Sequence, residues 1–410
     1  MDVISPLKIE KVVYGGNGLS REQNKVIFTP FTIKGEVIAA KILKSKKNFS
    51  QGEVLRIIES SPHRVKPRCS HFGVCGGCQF QHMDYKEQLR TKKEILIENI
   101  QAFTDPSKLE IIGIENQIWE YREHIKLTFQ DGILGYHGNT DKNVFSVSMC
   151  PIFSEKLPNL LNQLKLALQE AETVYAEIRL LKSHDSFIAA IKFEGANYKA
   201  LEKLIPYFKG ISIKTHHDRV DIGKCHIIQS YLGKDFHMDI WSFMQNHRTM
   251  AENLYQYVID SIPSNTQVLA DLYCGCGLLS ILASSKSIPH IYGIELNPAS
   301  ISCAKKNQEE FNLSNIEFIA APAEQLFKHV KKPINFVIIN PPREGLSELM
   351  LYKLTSIPEA HLCYISCNPT TLNRDLKIFK NEGFEVVNAR GFDLFPHTTH
   401  LETVCIIKKR

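Results

Sequence analysis

An α/β fold, a doubly wound and mostly parallel sheet, is predicted for residues 237–410, with two smaller units in front of it. Three observations carry the prediction. Six short apolar runs, QVLADLY, HIYGIEL, NIEFIAA, INFVIIN, HLCYIS and FEVVNAR, alternate with helix-like segments such as PASISCAKKNQEEF and TTLNRDLKIFKNEG. Strand–helix alternation is the signature of parallel crossovers. The first run ends in a glycine turn, DLYCGCG (271–277), which opens into LLSILAS. The opening sixty residues instead alternate apolar and polar positions between glycine turns, the pattern of a small β-barrel.

In chain order, residues 1–62 read as a barrel of the oligonucleotide-binding type. KILKSKKNF (41–49) and HRVKPR (63–68) concentrate positive charge around it, as binding to phosphates requires. Residues 63–236 read as an α+β central domain that begins with a cysteine cluster. A Lys-, Glu- and Leu-rich helix follows at about 85–103 and can pack on the carboxyl-terminal domain. Strand-like runs (YREHIKLTF, GILGYH, SFIAAIKF, GISIKTH) and a helix near 154–171 complete the unit. After the last helix of the third domain, HLETVCIIKKR is expected to add an edge strand.

The chain has 410 residues, enough for two or three domains, and a net charge of +5 from 49 basic and 44 acidic residues. MDVISPLKIE lacks the apolar core of a signal peptide, and no run approaches the ~20 residues that cross a bilayer. A cytoplasmic protein without a membrane partner is expected. Eleven cysteines, an odd number in a long chain, argue against a disulfide framework and for metal binding or catalysis.

In DLYCGCG a strand ends at Asp271, and Gly275 and Gly277 let the backbone approach a ligand. The third glycine of the dinucleotide fingerprint is missing, and no Lys-Ser/Thr follows as in a nucleoside triphosphate site. The next strand ends in Glu295, about twenty positions on, where a carboxylate suits a pair of ribose hydroxyls. The pattern is that of an S-adenosylmethionine site, with NAD the alternative. The fourth strand ends in Asn340-Pro341-Pro342-Arg343. Adenine N-methyltransferases have a similar Asn-Pro-Pro with an aromatic residue where Arg343 stands; Asn340 can bond a base or the cofactor.

Cys367 ends the fifth strand, in YISCNPTTLNRDL, one strand beyond Asn340 and at the same sheet edge. Methyl transfer to an amine or hydroxyl needs no thiol. Transfer to a pyrimidine C5 does, because thiolate addition at C6 makes C5 nucleophilic. The C5 proton must then leave. FPHTTHLE offers Glu402, His400 and His397 as bases. The thiol also calls for a cationic neighbour, Arg343 or Arg374, to lower its pKa.

PRCSHFGVCGGCQFQH holds Cys69, Cys75 and Cys78. The spacing is not that of radical enzymes. Zinc or an iron–sulfur cluster would need a fourth ligand, for which Cys150 in SMCPI is the first choice and Cys225 the reserve. Gly76 and Gly77 let backbone amides approach cluster sulfurs, which favours iron–sulfur.

Taken together these motifs resemble the S-adenosylmethionine-dependent RNA uracil-C5 methyltransferases, of the 23S ribosomal RNA and tRNA T-loop type. The resemblance spans essentially the whole chain. It implies a TRAM domain at residues 6–60 and a Rossmann-like methyltransferase domain at 237–410. It also implies a [4Fe–4S] cluster on Cys69, Cys75, Cys78 and Cys150. WSFMQNH would bring Gln245 to the cofactor, DLYCGCG would bring Tyr273, and Glu295 would hold the ribose. Cys367 would be the nucleophile and Glu402, rather than a histidine, the proton acceptor. Asn340 stands where the family commonly has Asp, and Leu278 where a polar residue is frequent. The expected partner is RNA, with ribosomal RNA favoured over tRNA, and no protein partner is required. An amino methyltransferase, a non-enzymatic RNA-binding protein and a cytosine-C5 enzyme are the competing readings. The last needs an acid at N3 that Asn340 does not supply.

Overall fold

A computed structural model describes residues 3–139, 143–154, 156–183, 186–358 and 361–410. The amino-terminal segment folds into a six-stranded sheet in the order Val3–Lys8, Val37–Ser45, Phe49–Glu59, Lys25–Pro30, Asn17–Glu22, Lys11–Val12. Its alternating pattern puts Leu7, Ile9, Ile27, Ile38 and Ala40 into one small core, and leaves Lys44, Lys46 and Lys47 exposed.

The central part is a seven-stranded sheet running from Val144–Ser146 to Arg219–Gly223, with Thr173–Ser183 and Ser186–Gly195 at its middle. Helix Leu157–Glu170 covers it, with Leu157, Leu160, Leu161, Leu164 and Leu168 facing the sheet at helical spacing. Position 155 of the expected helix lies outside the described residues.

The carboxyl-terminal sheet has eight strands. Their order is Ile316–Ala320, His290–Glu295, Val268–Leu272, Phe336–Ile339, His361–Ser366, Glu402–Lys409, Phe384–Phe392 and Glu110–Ile112. The first five run parallel to one another. They read as continuous apolar runs because helices cover both faces.

The last strand corrects one sequence expectation. Glu402–Lys409 is not an edge strand. It inserts antiparallel between His361–Ser366 and Phe384–Phe392, and Val404, Cys405 and Ile407 are fully buried. Its apolar content fits this interior place. The outer strand is Glu110–Ile112, from far upstream, paired parallel to Phe384–Phe392.

Helix Tyr85–Ile100 is the other upstream piece against this domain. Leu96 and Ile100 enter the same core as Leu376 and Phe379 of helix Pro369–Asn381. Lys92 on this helix has no exposed side-chain surface. Its ammonium bonds Asp393 Oδ1 at 2.6 Å and the Phe395 carbonyl at 3.0 Å.

Removing one partner of a buried pair strands the other charge. Lys92→Met is expected to lower unfolding free energy by ~3 kcal/mol or more. The double variant Lys92→Met/Asp393→Leu is expected to recover part of that, with urea denaturation as the measure.

Candidate active site

Strand ends build the site. Val268–Leu272 stops at Tyr273, whose φ is +62°, and the chain turns through Gly275 to Gly277. At Gly277 φ is +79°, and a Cβ would lie 2.5 Å from the Phe318 ring. Only glycine lets the turn sit this close to the neighbouring strand. Glu295 closes the turn from the next strand, accepting from the Gly275 amide at 3.3 Å and the Asn297 amide at 2.7 Å.

Strand His361–Ser366 ends for a local reason. Asn368 caps the helix that follows, accepting from the Thr370 amide at 3.0 Å, with Pro369 in the first turn. Cys367 is left half-buried between strand and cap.

One cavity of about 1070 Å³ joins these ends. Gln245, Tyr273, Glu295, Asn340, Cys367 and Glu402 all line it, together with Arg343 and His400. Residues distant in sequence thus share one space. Three buried polar atoms of residues in its walls, Gln245 Oε1, Asn246 Oδ1 and Asp271 Oδ1, have no protein partner. The other oxygen of Asp271 accepts from Ser280 Oγ at 2.7 Å. Burial, with a smaller push from Glu295, raises its pKa to about 7. A cavity with donor-hungry oxygens at a glycine turn fits a polar ligand such as a nucleoside.

Glu402 is buried, and burial raises its carboxyl to about 7, with Arg343 pulling the other way. Burial also pushes the Cys367 thiol up to about 11, and Glu402 adds to this. The sequence called for a depressed thiol. The structure shows a raised one, because desolvation outweighs the Arg343 charge and hydrogen bond. Arg343 is the cation beside the thiol. Arg374 instead bonds Asp375 and the Glu344 and Leu346 carbonyls.

The two histidines separate. His400 lines the cavity, and burial with the nearby Arg343 lowers its pKa to about 4. His397 lies behind it, stacked on Trp119 with centroids 3.9 Å apart, and its ring Nδ1 is 3.1 Å from Gln88 Nε2.

The cluster cysteines form a second place. Cys69, Cys75, Cys78 and Cys150 line one cavity of about 300 Å³ with Arg122 and Tyr136. The Gly77 amide donates to Cys75 Sγ at 3.3 Å. Cys225 is elsewhere, donating to the Ile222 carbonyl. Among the described residues no group of three or more His, Cys, Asp or Glu side chains converges on a single metal position.

A family model for tRNA (uracil-5-)-methyltransferase matches residues 233–410. A protein of Aquifex aeolicus, named only as an uncharacterised RNA methyltransferase, is 32% identical, with 98% of each chain covered. The chain belongs to the RNA (uracil-5-)-methyltransferase family. It is an S-adenosylmethionine-dependent enzyme acting on RNA. A similar relative in Protochlamydia amoebophila is also 32% identical, over 98% of this chain and 97% of its own. The crystal structure of Pyrococcus abyssi tRNA (uracil-54, C5)-methyltransferase with S-adenosyl-L-homocysteine superposes with a TM-score of 0.77. It is 22% identical and covers 98% of this chain and 100% of its own, a likeness of fold. Among the described residues of this methyltransferase no helix is long and apolar enough to cross a membrane.

Sequence reasoning missed how far the amino-terminal half reaches toward this site. Gln79 and Phe80 amides both donate to the His397 carbonyl at 2.9 Å, and the Tyr121 hydroxyl donates to the Pro396 carbonyl at 3.0 Å. No local pattern marks such contacts.

The raised Glu402 pKa has a consequence for stability. Relative to its ordinary 4.5, the folded state holds this proton up to about pH 7. The folded chain therefore binds more protons across that window, and stability falls as pH rises through it. The full cost, at most ~3 kcal/mol, applies above pH 7. Glu402→Gln is expected to melt higher than the parent at pH 8 and at nearly the same temperature at pH 4, read by thermal denaturation at both.

Proposed function

We propose that the enzyme methylates C5 of a uridine in RNA through a covalent bond between Cys367 and C6. The observation that carries this is the placement of Cys367 and Glu402 in one cavity with the glycine turn. An amine-methylating enzyme has no use for the thiol.

Glu295 would hold the ribose of S-adenosylmethionine, and Tyr273, Gln245 and Asn340 would contact the rest; when bound, it supplies an electrophilic methyl group. The remaining steps belong to the protein and the uridine. The base leaves its stack to enter the cavity. The Cys367 proton departs to solvent, with Arg343 stabilising the thiolate. The sulfur adds to C6, and the ring electrons move to C5 and the O4 carbonyl. C5 takes the methyl group. Glu402, with a pKa near neutrality, accepts the C5 proton. The carbon–sulfur bond then breaks and the ring double bond returns. Overall a methyl group replaces a hydrogen and one proton is released.

The chain would divide into an RNA-binding TRAM barrel at 1–62, a central domain at 63–236 and the catalytic domain at 237–410. Cys69, Cys75, Cys78 and Cys150 would hold a [4Fe–4S] cluster. Four cysteines around one cavity favour a multi-iron group over zinc, whose ligands must meet ~2.3 Å from one point. The cluster's part is structural or RNA-positioning, because the reaction consumes no electron.

The favoured RNA is 23S ribosomal RNA, since barrel and cysteine cluster occur together. The tRNA T-loop is the second reading, and the Pyrococcus abyssi enzyme is one that acts on uracil-54 of tRNA. Radioactive methyl transfer to bulk RNA from a strain lacking the protein, followed by mapping of the base, decides between them.

A transcript carrying 5-fluorouridine cannot lose fluorine to Glu402. It is expected to form a denaturant-resistant conjugate with the parent enzyme and none with Cys367→Ala. Cys367→Ala that keeps full methylation would exclude the thiol mechanism. Cys75→Ser is expected to lose the brown absorbance of the cluster together with fold integrity or RNA binding. A colourless variant that is folded, binds RNA normally and fails only in chemistry would contradict the assigned role.

A further inference from the structure

The cavity between the cysteines has a charged wall. Besides Cys69, Cys75, Cys78 and Cys150 it is lined by Arg122, Lys126, Tyr136 and Glu177. Lys126 Nζ lies 2.9 Å from Glu177 Oε2, and Lys192 Nζ reaches the same oxygen at 3.2 Å, so that carboxylate is already neutralised. Arg122 pairs with no carboxylate among the described residues. Its Nε is buried and has no hydrogen-bond partner there, and the same holds for the Tyr136 hydroxyl.

Backbone contacts fix both groups at this place. The Arg122 amide donates to the Ile152 carbonyl at 2.9 Å, just beyond Cys150, and Ile152 lines the same cavity. Tyr136 lies in strand Ile133–His137, opposite Phe145 of strand Val144–Ser146. A guanidinium shielded from water is costly unless an anion stands beside it. The cysteines supply that anion when they ligate metal. Ligation removes the thiol protons, and four thiolates outweigh the positive core of a [4Fe–4S] group. A buried cation and an orphaned hydroxyl in a wall of thiols therefore fit an anionic occupant.

We infer that Arg122 is the counter-charge of the cysteine-held cluster, and that Arg122 Nε and the Tyr136 hydroxyl donate hydrogen bonds to its sulfur atoms. The inference rests on the [4Fe–4S] reading above. Donors and positive charge favour the more negative state of such a group, so they retain it and raise its reduction potential. Arg122 also ties the cluster to the catalytic cavity. The amide of the next residue, Glu123, donates to the Asn246 carbonyl at 2.9 Å, and Asn246 lines that cavity. Loss of the cluster leaves an uncompensated charge beside this contact.

The test uses full-length protein purified without oxygen. Arg122→Gln removes the charge, Arg122→Lys keeps it, and Tyr136→Phe removes the hydroxyl alone. Arg122→Gln is expected to release iron to a ferrous chelator roughly tenfold faster than the parent. Its reduction potential, followed by electron paramagnetic resonance, is expected to be more negative, and Arg122→Lys is expected to return it most of the way. A parent-like release rate and potential in Arg122→Gln overturns the inference, and so does a shifted potential that Arg122→Lys leaves shifted. If Arg122→Gln does not fold, Tyr136→Phe decides. Iron release at least about twofold faster at an unchanged melting temperature supports the inference, and a parent-like rate overturns it. Iron and sulfide in the parent are measured alongside. If the parent holds both and the variants behave as it does, this inference alone fails. If the parent holds neither, the [4Fe–4S] reading fails and takes this inference with it.

Discussion

A buried ammonium, that of Lys92, holds the loop 393–401 from a helix far upstream in the chain. Residues 393–401 connect two strands without regular structure, yet most of them are buried. Backbone groups in such a segment need partners, since water does not reach them. Lys92 supplies one anchor at Asp393 and Phe395. Gln88 supplies another, accepting from the His397 amide at 2.7 Å. The Gln79 and Phe80 amides take the His397 carbonyl, and Tyr121 takes that of Pro396. Glu402 begins the strand immediately after this loop, so its position depends on groups contributed by residues 79–121.

This arrangement changes how the domains relate. Helix Tyr85–Ile100 and strand Glu110–Ile112 belong physically to the catalytic sheet, although they precede the central sheet in the chain. The cysteine loop sits just before that helix. Anything that ties Cys69, Cys75 and Cys78 together would stiffen the loop whose Gln79 and Phe80 amides hold the His397 carbonyl.

Burial favours the protonated form of three groups in the cavity wall. Burial raises Asp271, Cys367 and Glu402 alike, and Arg343 is the counter-charge for the last two. A desolvated carboxyl near neutrality is a better base than an exposed one with its ordinary pKa. The same desolvation disfavours the thiolate. Arg343, unremarkable in Pro-Pro-Arg, is what opposes that penalty.

The chemistry-bearing residues were legible because each sits where local rules put it. Strand-ending carboxylates, the glycine turn and Cys367 before an Asn-Pro cap follow from short-range pattern, and alternation of apolar runs and helices gave the sheet. Cys69, Cys75, Cys78 and Cys150 could be grouped from spacing and family resemblance. The place of the final strand could not, because four apolar residues between Glu-Thr and Lys-Lys suit an edge or an interior equally until the neighbours are known. Nor could the Lys92 anchor or the bond between Gln88 and His397, since both join residues hundreds of positions apart. The raised Cys367 pKa was likewise invisible, because desolvation depends on what the whole chain packs around a group, whereas the identity of the group is written in one letter. Sequence therefore determined which functional groups exist and at which strand ends; the tertiary structure alone decided which of them share a solvent-poor space and what holds them there.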